Sequence, residues 1–333
     1  MTLAGYVHTF GQALYRRHGE RVHKVAIDAG FSCPNRDGTK GRGGCTFCNN
    51  VSFSPNGRTP AAVAEQIAAG RAVIARRTGA RKLLGYFQAY TNTYAGVDEL
   101  KRLYDAALSE PDVIGLSIGT RPDCVPPAVL DLLADYRDRG HEIWLELGLQ
   151  SAFDGTLARV NRGHSFDDYR RAVRAARARA LPVCTHLIMG LPGEAAVHAR
   201  VSHARVLELG VDGLKLHPLH VVKGTALANS FRRGEYRPIA QHEYISIVAD
   251  LVECTPPSVV FHRLTGTASA PLLLAPAWCA KKWAVLNDIE RELKRRGTYQ
   301  GAMLAAVAGR GMGGTGWAPR DFAANRRYSE AQP

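Results

Sequence analysis

From residue 22 to about residue 225, short apolar runs alternate with longer stretches of helical period. That alternation is the pattern of repeated strand–helix units around a parallel sheet. The predicted strands are Lys24 to Ala29, Leu83 to Gln88, Val113 to Ile118, Ile143 to Gln150, Val183 to Gly190 and Gly213 to His217. Predicted helices include Ala61 to Arg76, Val97 to Leu108, Pro127 to Arg139 and Phe166 to Arg179, where apolar positions recur every three or four residues. Six units predict an α/β fold, a partial (β/α)6 TIM-like barrel over residues 22–225. A doubly wound open sheet produces the same alternation, so the motifs have to decide.

Residues 1–21 read as an N-terminal amphipathic helix. After residue 226 the alternation stops, and residues 226–310 are expected to form a mainly helical C-terminal extension with a substrate-binding role. Its helices are predicted at Gln241 to Glu253 and Ala280 to Arg296, with one strand-like run between them, Ser258 to Leu264. Residues 311–333, rich in glycine and poor in apolar spacing, read as a flexible tail. A chain of 333 residues buries a core without disulfides. Seven cysteines and the lack of a cationic, apolar leader predict a reducing, cytoplasmic location. No apolar run is long enough to span a bilayer, which excludes a helical membrane protein. The net charge of +13 and pI near 9.6 fit a polyanionic partner, though an arginine-rich solvated surface has the same composition.

Directly after the first predicted strand comes FSCPNRDGTKGRGGCTFCNN, which puts Cys33, Cys45 and Cys48 in one loop with the spacing C-x11-C-x2-C. Soft thiolates select zinc or iron–sulfur clusters. Three protein ligands on a cubane leave one iron open, and the glycines at 38, 41, 43 and 44 let the loop wrap closely around such a group. A structural zinc site with His23 as fourth ligand is the competing reading, although structural zinc spacings come in two short pairs. Three ordinary buried thiols within sixteen residues of a polar loop are the other. Cys124, Cys184, Cys254 and Cys279 are scattered and read as buried thiols.

The cysteine loop, with Phe47 just before the last cysteine, resembles the radical S-adenosylmethionine (SAM) superfamily. The wording SCPNRDG…GCTFC with its long first spacing is similar to the YhcC/YtqA-type radical SAM family, and such a spacing also occurs in the Elongator catalytic subunit. The segment LELGLQSAFDGTLARVNRGHS, residues 145–165, looks like the radical SAM domain of the Elongator subunit, and TRPD at 120–123 and FHRLTG…WCAKKWAVLNDIERELKRRGTYQG at 261–301 match the YhcC/YtqA type. In a strand, Glu146, Gly148 and Gln150 share one face. The resemblance implies that this face lines a SAM pocket, with Gln150 and Arg162 contacting the ribose and carboxylate, while a structural polar layer is the bland reading for Glu146. YFQAYTNTY, residues 86–94, departs from the glycine-rich segment expected there, and Thr91 and Asn92 offer acceptor oxygens in its place. Ser117 and Gly190 are carried over as further SAM contacts, with Gly190 beside the adenine. Arg121, His217, His220, Lys281 and Lys282 are assigned to substrate.

What the resemblance implies is an enzyme with a [4Fe-4S] cluster on Cys33, Cys45 and Cys48 that cleaves SAM reductively to a 5′-deoxyadenosyl radical, served by a flavodoxin- or ferredoxin-type electron donor. The Elongator likeness and the basic charge point to tRNA, with conversion of a wobble-uridine C5 carboxymethylaminomethyl group to the aminomethyl type as the expected reaction. An acetyltransferase domain is not expected. A radical enzyme acting on a peptide or small metabolite, and a zinc-stabilised RNA-binding module without activity, are the alternatives.

Overall fold

The computed structural model describes residues 2–49 and 62–304. Nine strands are formed: β1 (Val22–Ile27), β2 (Lys82–Phe87), β3 (Val113–Thr120), β4 (Glu142–Gln150), β5 (Val183–Met189), β6 (Gly213–Pro218), β7 (Val221–Val222), β8 (Val260–Arg263) and β9 (Leu273–Ala275). Seven of them make one parallel sheet in the order β1-β2-β3-β4-β5-β6-β8, while β7 and β9 pair with each other. The helices are α1 (Phe10–His18), α2 (Val63–Thr78), α3 (Val97–Leu108), α4 (Pro127–Asp138), α5 (Asp154–Arg159), α6 (Phe166–Arg177), α7 (Ala196–Leu207), α8 (Ala226–Arg232), α9 (Gln241–Glu253) and α10 (Lys282–Arg296).

The expected α/β half-barrel is therefore present, and the strands predicted from apolar runs fall within two residues of those observed. The run from Ser258 to Leu264 differs in role: as β8 it pairs in parallel with β6 and becomes the seventh strand of the sheet. The tail predicted at 311–333 and the first residue of the helix predicted from Ala61 lie outside the described residues. Among the described residues no helix is long and apolar enough to cross a membrane.

The sheet's outer face is apolar and covered by helices. Leu145, Leu147 and Leu149 of β4 are fully buried there, each worth roughly 1.5–3 kcal/mol of transfer free energy. Helix α3 presents Leu100, Leu103, Tyr104 and Ala107 at helical spacing, and α6 presents Phe166, Tyr169, Val173 and Ala176. Ser165 and Asp168 close a capping box at the start of α6, which satisfies backbone donors that the helix itself leaves open.

The inner face is different at its two ends. At the N-terminal ends of the strands, α1 plugs the half-barrel. Phe10 stacks on His262 of β8 with ring centroids 3.8 Å apart and meets Trp144 of β4 edge-on at 5.3 Å. Just ahead of the plug, the carbonyl of His8 accepts from the Phe261 amide at 2.9 Å, so the N-terminal segment extends the open edge at β8. The buried Gln300 carboxamide ties the same region together, accepting from the His8 amide at 2.8 Å and donating to the carbonyls of Pro256 and Val259. The C-terminal ends of the strands stay free for the cysteine loop.

Helix α7 docks on α9 across a buried polar contact. His203 Nε2 donates to Thr255 Oγ1 at 2.7 Å, since that hydroxyl already gives its proton to the Leu251 carbonyl. Burial lowers the His203 pKa to about 4. Its folded pKa lies below the unfolded value, so its contribution is present above about pH 6.5 and is lost as pH falls toward 4. Urea unfolding at pH 7 and pH 5 is expected to show that His203→Gln removes about 1.5–2 kcal/mol of the acid destabilisation seen in the parent chain. An identical pH dependence in both proteins would contradict this.

Candidate functional site

A polar layer crosses the middle of the half-barrel and is centred on Glu146, which is fully buried. One carboxylate oxygen takes Lys24 Nζ of β1 and Ser117 Oγ of β3, the latter at 2.5 Å. The other takes Lys215 Nζ of β6 and lies 2.8 Å from His186 Nε2 of β5. His262 Nδ1 of β8 is 3.5 Å from the first oxygen. Lys215 also donates to the Tyr86 hydroxyl of β2 at 3.1 Å, and its ammonium lies 4.2 Å from the centre of that ring. Burial would raise the Glu146 pKa, but Lys215 and Lys24 overcome it and hold the carboxyl well below its usual range. Burial in turn lowers Lys24 to about 8, against the pull of Glu146. Cys184 Sγ completes a group of three donors with Glu146 and His186 within 4.8 Å of one another. Two ammonium groups on the same carboxylate leave that group unsuited to a cation.

Above this layer, at the C-terminal ends of the strands, lies a cavity of about 280 Å³ lined by Cys33, Cys45 and Cys48. The loop that carries them is fixed from both sides. Gln66 of α2 holds its start, exchanging hydrogen bonds with the backbone of Asp28 at 2.9 and 2.7 Å. Asn35, almost fully buried, donates to the Asn161 carbonyl at 2.5 Å, and Asn161 donates back to the Gly44 carbonyl at 2.8 Å. The Thr46 amide binds the Val160 carbonyl, and the Thr46 carbonyl receives the Leu227 amide of α8. Two glycines are dictated by this packing. A Cβ on Gly41 would sit 2.5 Å from Asn35 Oδ1, and Gly44, at φ +80°, would press on Arg36 at 2.9 Å.

The thiols share a confined space. Burial first, then the neighbouring Cys45, pushes Cys48 up to about 11, while Arg36 and Arg162 pull it down. Arg162 Nη1 lies 3.5 Å from Cys45 Sγ and Nη2 donates to the Gly148 carbonyl at 2.5 Å. Gly148 has no room for a Cβ, which would fall 2.8 Å from Gln150 Nε2 and 2.9 Å from Arg162 Nη2. Thr91 Oγ1, Asn92 Oδ1 and Arg162 Nε are buried without a hydrogen-bond partner, and all three residues line the cavity. Unpaired buried polar atoms are rare and costly, and here two acceptors and a donor converge on one cavity. The backbone leading to them is strained, with Ala89 at φ 114° and Tyr90 at φ 60°; such conformations cost about 1–3 kcal/mol each and cluster at functional sites.

Of the residues singled out from the sequence, the cavity brings together Cys33, Cys45, Cys48, Phe47, Thr91, Asn92, Arg121, Gln150, Arg162, His217 and His220. Gln150 reaches it through a β4 irregularity at φ 79° rather than by simple alternation. Arg121 is nearly fully buried and its guanidinium is committed to protein, with a forked pair to Asp123 at 2.9 and 3.0 Å and a bond to the Arg162 carbonyl at 2.8 Å. Burial notwithstanding, this pairing holds Asp123 down to about 2.

Four residues stand apart from the cavity lining. Ser117 lies one layer below, on Glu146. Gly190 belongs to a second hollow beneath Ile239, its carbonyl receiving the Tyr236 hydroxyl at 2.6 Å. Lys281 and Lys282 begin α10 away from the cavity, with Lys282 close enough for its charge to act on His23. His23 sits four residues before the end of β1, roughly 13 Å down the strand at 3.3 Å per residue, and so is no fourth ligand for the cysteines. Tyr86, His186, Lys215 and Arg263 line the cavity without having been anticipated. For Lys215 the signal was polar residues at alternate positions of an apolar strand, Lys215 and His217 in GLKLHP.

Three thiols thus line one cavity at the C-terminal ends of a parallel half-barrel. Residues 37–200 match the radical SAM superfamily model and residues 211–295 the radical SAM C-terminal domain. The chain is 48% identical over 304 residues to Escherichia coli (strain K12) Protein YhcC, covering 91% of this chain and 97% of that protein. It is 39% identical over 297 residues to Bacillus subtilis (strain 168) YtqA, covering 88% and 91%. The chain belongs to the YhcC/YtqA family of the radical SAM superfamily, an enzyme class whose cofactors are a [4Fe-4S] cluster and SAM. A tRNA uridine(34) acetyltransferase from Dehalococcoides mccartyi (strain CBDB1) is 31% identical over 182 residues, 54% of this chain but 38% of that protein. Among solved structures, the archaeal Methanocaldococcus infernus Elp3 with an N-terminal deletion superposes with a TM-score of 0.63 at 20% identity, covering 84% of this chain and 64% of that one; this likeness speaks to the fold.

The residues fit both cofactors. The cavity offers three thiols for a cluster and, beside them, orphaned oxygens for an amino group and a guanidinium for a carboxylate. The Glu146 layer is what holds this floor in place. Glu146→Gln is expected to cost about 3–5 kcal/mol in denaturant unfolding, because two lysines lose their counter-charge, and adding Lys215→Met is expected to restore part of the loss. A single-variant cost under about 1 kcal/mol would remove Glu146 from this role.

Proposed function

We propose that Cys33, Cys45 and Cys48 hold the cluster and that the enzyme modifies tRNA at the C5 side chain of the wobble uridine, from a carboxymethylaminomethyl to an aminomethyl type. The observation that carries the site assignment is the convergence of three cysteine thiols and the unpartnered atoms of Thr91, Asn92 and Arg162 on one cavity. The cofactors, once bound, would supply a 5′-deoxyadenosyl radical to take a hydrogen atom from the N-linked methylene; with SAM as net oxidant and water added to the resulting imine, the two carboxymethyl carbons would leave as glyoxylate and the amine remain. Thr91 and Asn92 accept from the SAM amino group, Arg162 pairs with its carboxylate while steadying Cys45, and Gln150 meets the ribose. Phe47 packs with the apolar group that includes Val160, Leu191 and Leu219 and anchors the end of the cysteine loop. Position sets the outcome, because the radical takes hydrogen from whichever C–H bond is held nearest to it.

The tRNA reading is supported by the charge of +13 and by the activity after which the tRNA uridine(34) acetyltransferase relative is named. Anaerobic reconstitution is expected to give about four irons per chain with broad visible absorption, and Cys45→Ala to lose both. With SAM and a reductant, tRNA bearing carboxymethylaminomethyluridine is expected to stimulate 5′-deoxyadenosine formation, whereas the same tRNA without that side chain is not. If SAM consumption is indifferent to the tRNA, the substrate assignment falls while the cluster assignment stands on the iron count. A tRNA affinity that does not weaken with added salt would favour a peptide or small metabolite instead.

A further inference from the structure

The cavity has two cationic walls. On the cysteine side, Arg36 and Arg162 are the cations that act on Cys48. Across from them stand Lys215 of β6 and Arg263 of β8, whose charges act together on His217. Among the described residues, no aspartate or glutamate lines either wall. Asp123 answers Arg121 and Glu146 answers Lys215 from outside the lining.

Arg263 is the exception. It is exposed at the end of β8, and its guanidinium makes no hydrogen bond or ion pair with any described residue. The groups around it add donors without adding a counter-charge. Lys215 is held from below by Glu146 and by Tyr86 at 3.1 Å. His217 is kept neutral by burial first and then by Arg263 and its other cationic neighbours, and burial lowers His220 to about 4. Gly266, two residues beyond Leu264, packs directly on the His217 ring, where a Cβ would lie 2.5 Å from Nδ1. The wall is thus built and shaped, and it presents a planar fork of N–H donors with nothing to receive them.

We propose that the β6–β8 wall is a subsite for a compact terminal oxyanion of the substrate, gripped by Arg263 in a forked pair, and distinct from the cysteine-side position of the SAM carboxylate. The inference rests on the cavity being the radical SAM site and specifies the substrate class it takes. A guanidinium meets a carboxylate or a terminal phosphate with two parallel hydrogen bonds. The cavity must also take SAM, which leaves the wall at Arg263 for the end of a group rather than for a length of nucleic-acid backbone. The oxyanion would anchor the far end of the substrate and leave the C–H bonds beside it facing the cysteine wall.

The test uses the holoprotein with cluster and SAM, and as probes N-acetylglycine, N-acetylglycinamide and methyl phosphate, with binding read by ligand-observed NMR. The carboxylate is expected to bind roughly tenfold more tightly than its amide, and Arg263→Gln to abolish that difference while Arg263→Lys keeps part of it. The stronger of N-acetylglycine and methyl phosphate names the oxyanion, and either supports the subsite. Equal binding of acid and amide, or an Arg263→Gln variant that discriminates as the parent does, overturns it. So does a parallel loss of SAM affinity in Arg263→Gln, which would move Arg263 to the cofactor side. Iron content and SAM binding are read first on the same samples, so failure of the cofactor assignment is seen separately, and no tRNA takes part.

Discussion

One buried carboxylate organises the interior. In a flat sheet β1 and β6 would lie five strand spacings apart, about 24 Å, yet Lys24 and Lys215 reach the same group on β4. The sheet must curl for that contact to form, and once formed it resists uncurling, because each ammonium left alone in the interior would face the full cost of its desolvation. Ser117, His186 and His262 complete the set, so five further strands are tied to the β4 carboxylate. The curvature of the half-barrel and the floor of the cavity are the same interaction seen from two sides.

That floor divides the interior by chemistry. Below it, Phe10, Leu14, Leu84 and Trp144 form a dry apolar plug. Above it, the walls are basic and the thiols converge. The C-terminal extension takes part in both: β8 completes the sheet and supplies His262 to the floor and Arg263 to the wall, and α9 and α10 back it. What reads in sequence as an appendage is a structural wall of the cavity.

Much of this was legible because it is local. The cysteine loop announces itself by spacing, and the six longer strands by apolar runs bounded by turn residues. The seventh was passed over as part of the sheet because four residues, Val260–Arg263, carry too little pattern to show which strand they join. Lys24, Lys215 and His262 were hidden for a related reason. A polar side chain in an apolar strand marks the inward face only once the curl of the sheet is known. Gly190, Lys281 and Lys282 lie outside the cavity lining, because a motif does not state on which side of a turn or at which end of the barrel it lies. Gln150 and Asn92 both line the cavity, and what brings them there, a positive φ on one and a buried, unpaired oxygen on the other, belongs to tertiary structure.

The cysteine loop has an unusual dependence on the order of the chain. Its three thiols come within the first fifty residues, yet the groups that fix its shape are Val160, Asn161 and Arg162 at the exit of β4 and Leu227 on α8. During synthesis the thiols exist long before their frame does. The contacts that bring them together form only with residues far downstream. Assembly of the loop is thereby made a late event by the connectivity of the fold itself, and a chain truncated before α8 would carry the cysteines without the Leu227 contact that holds their loop.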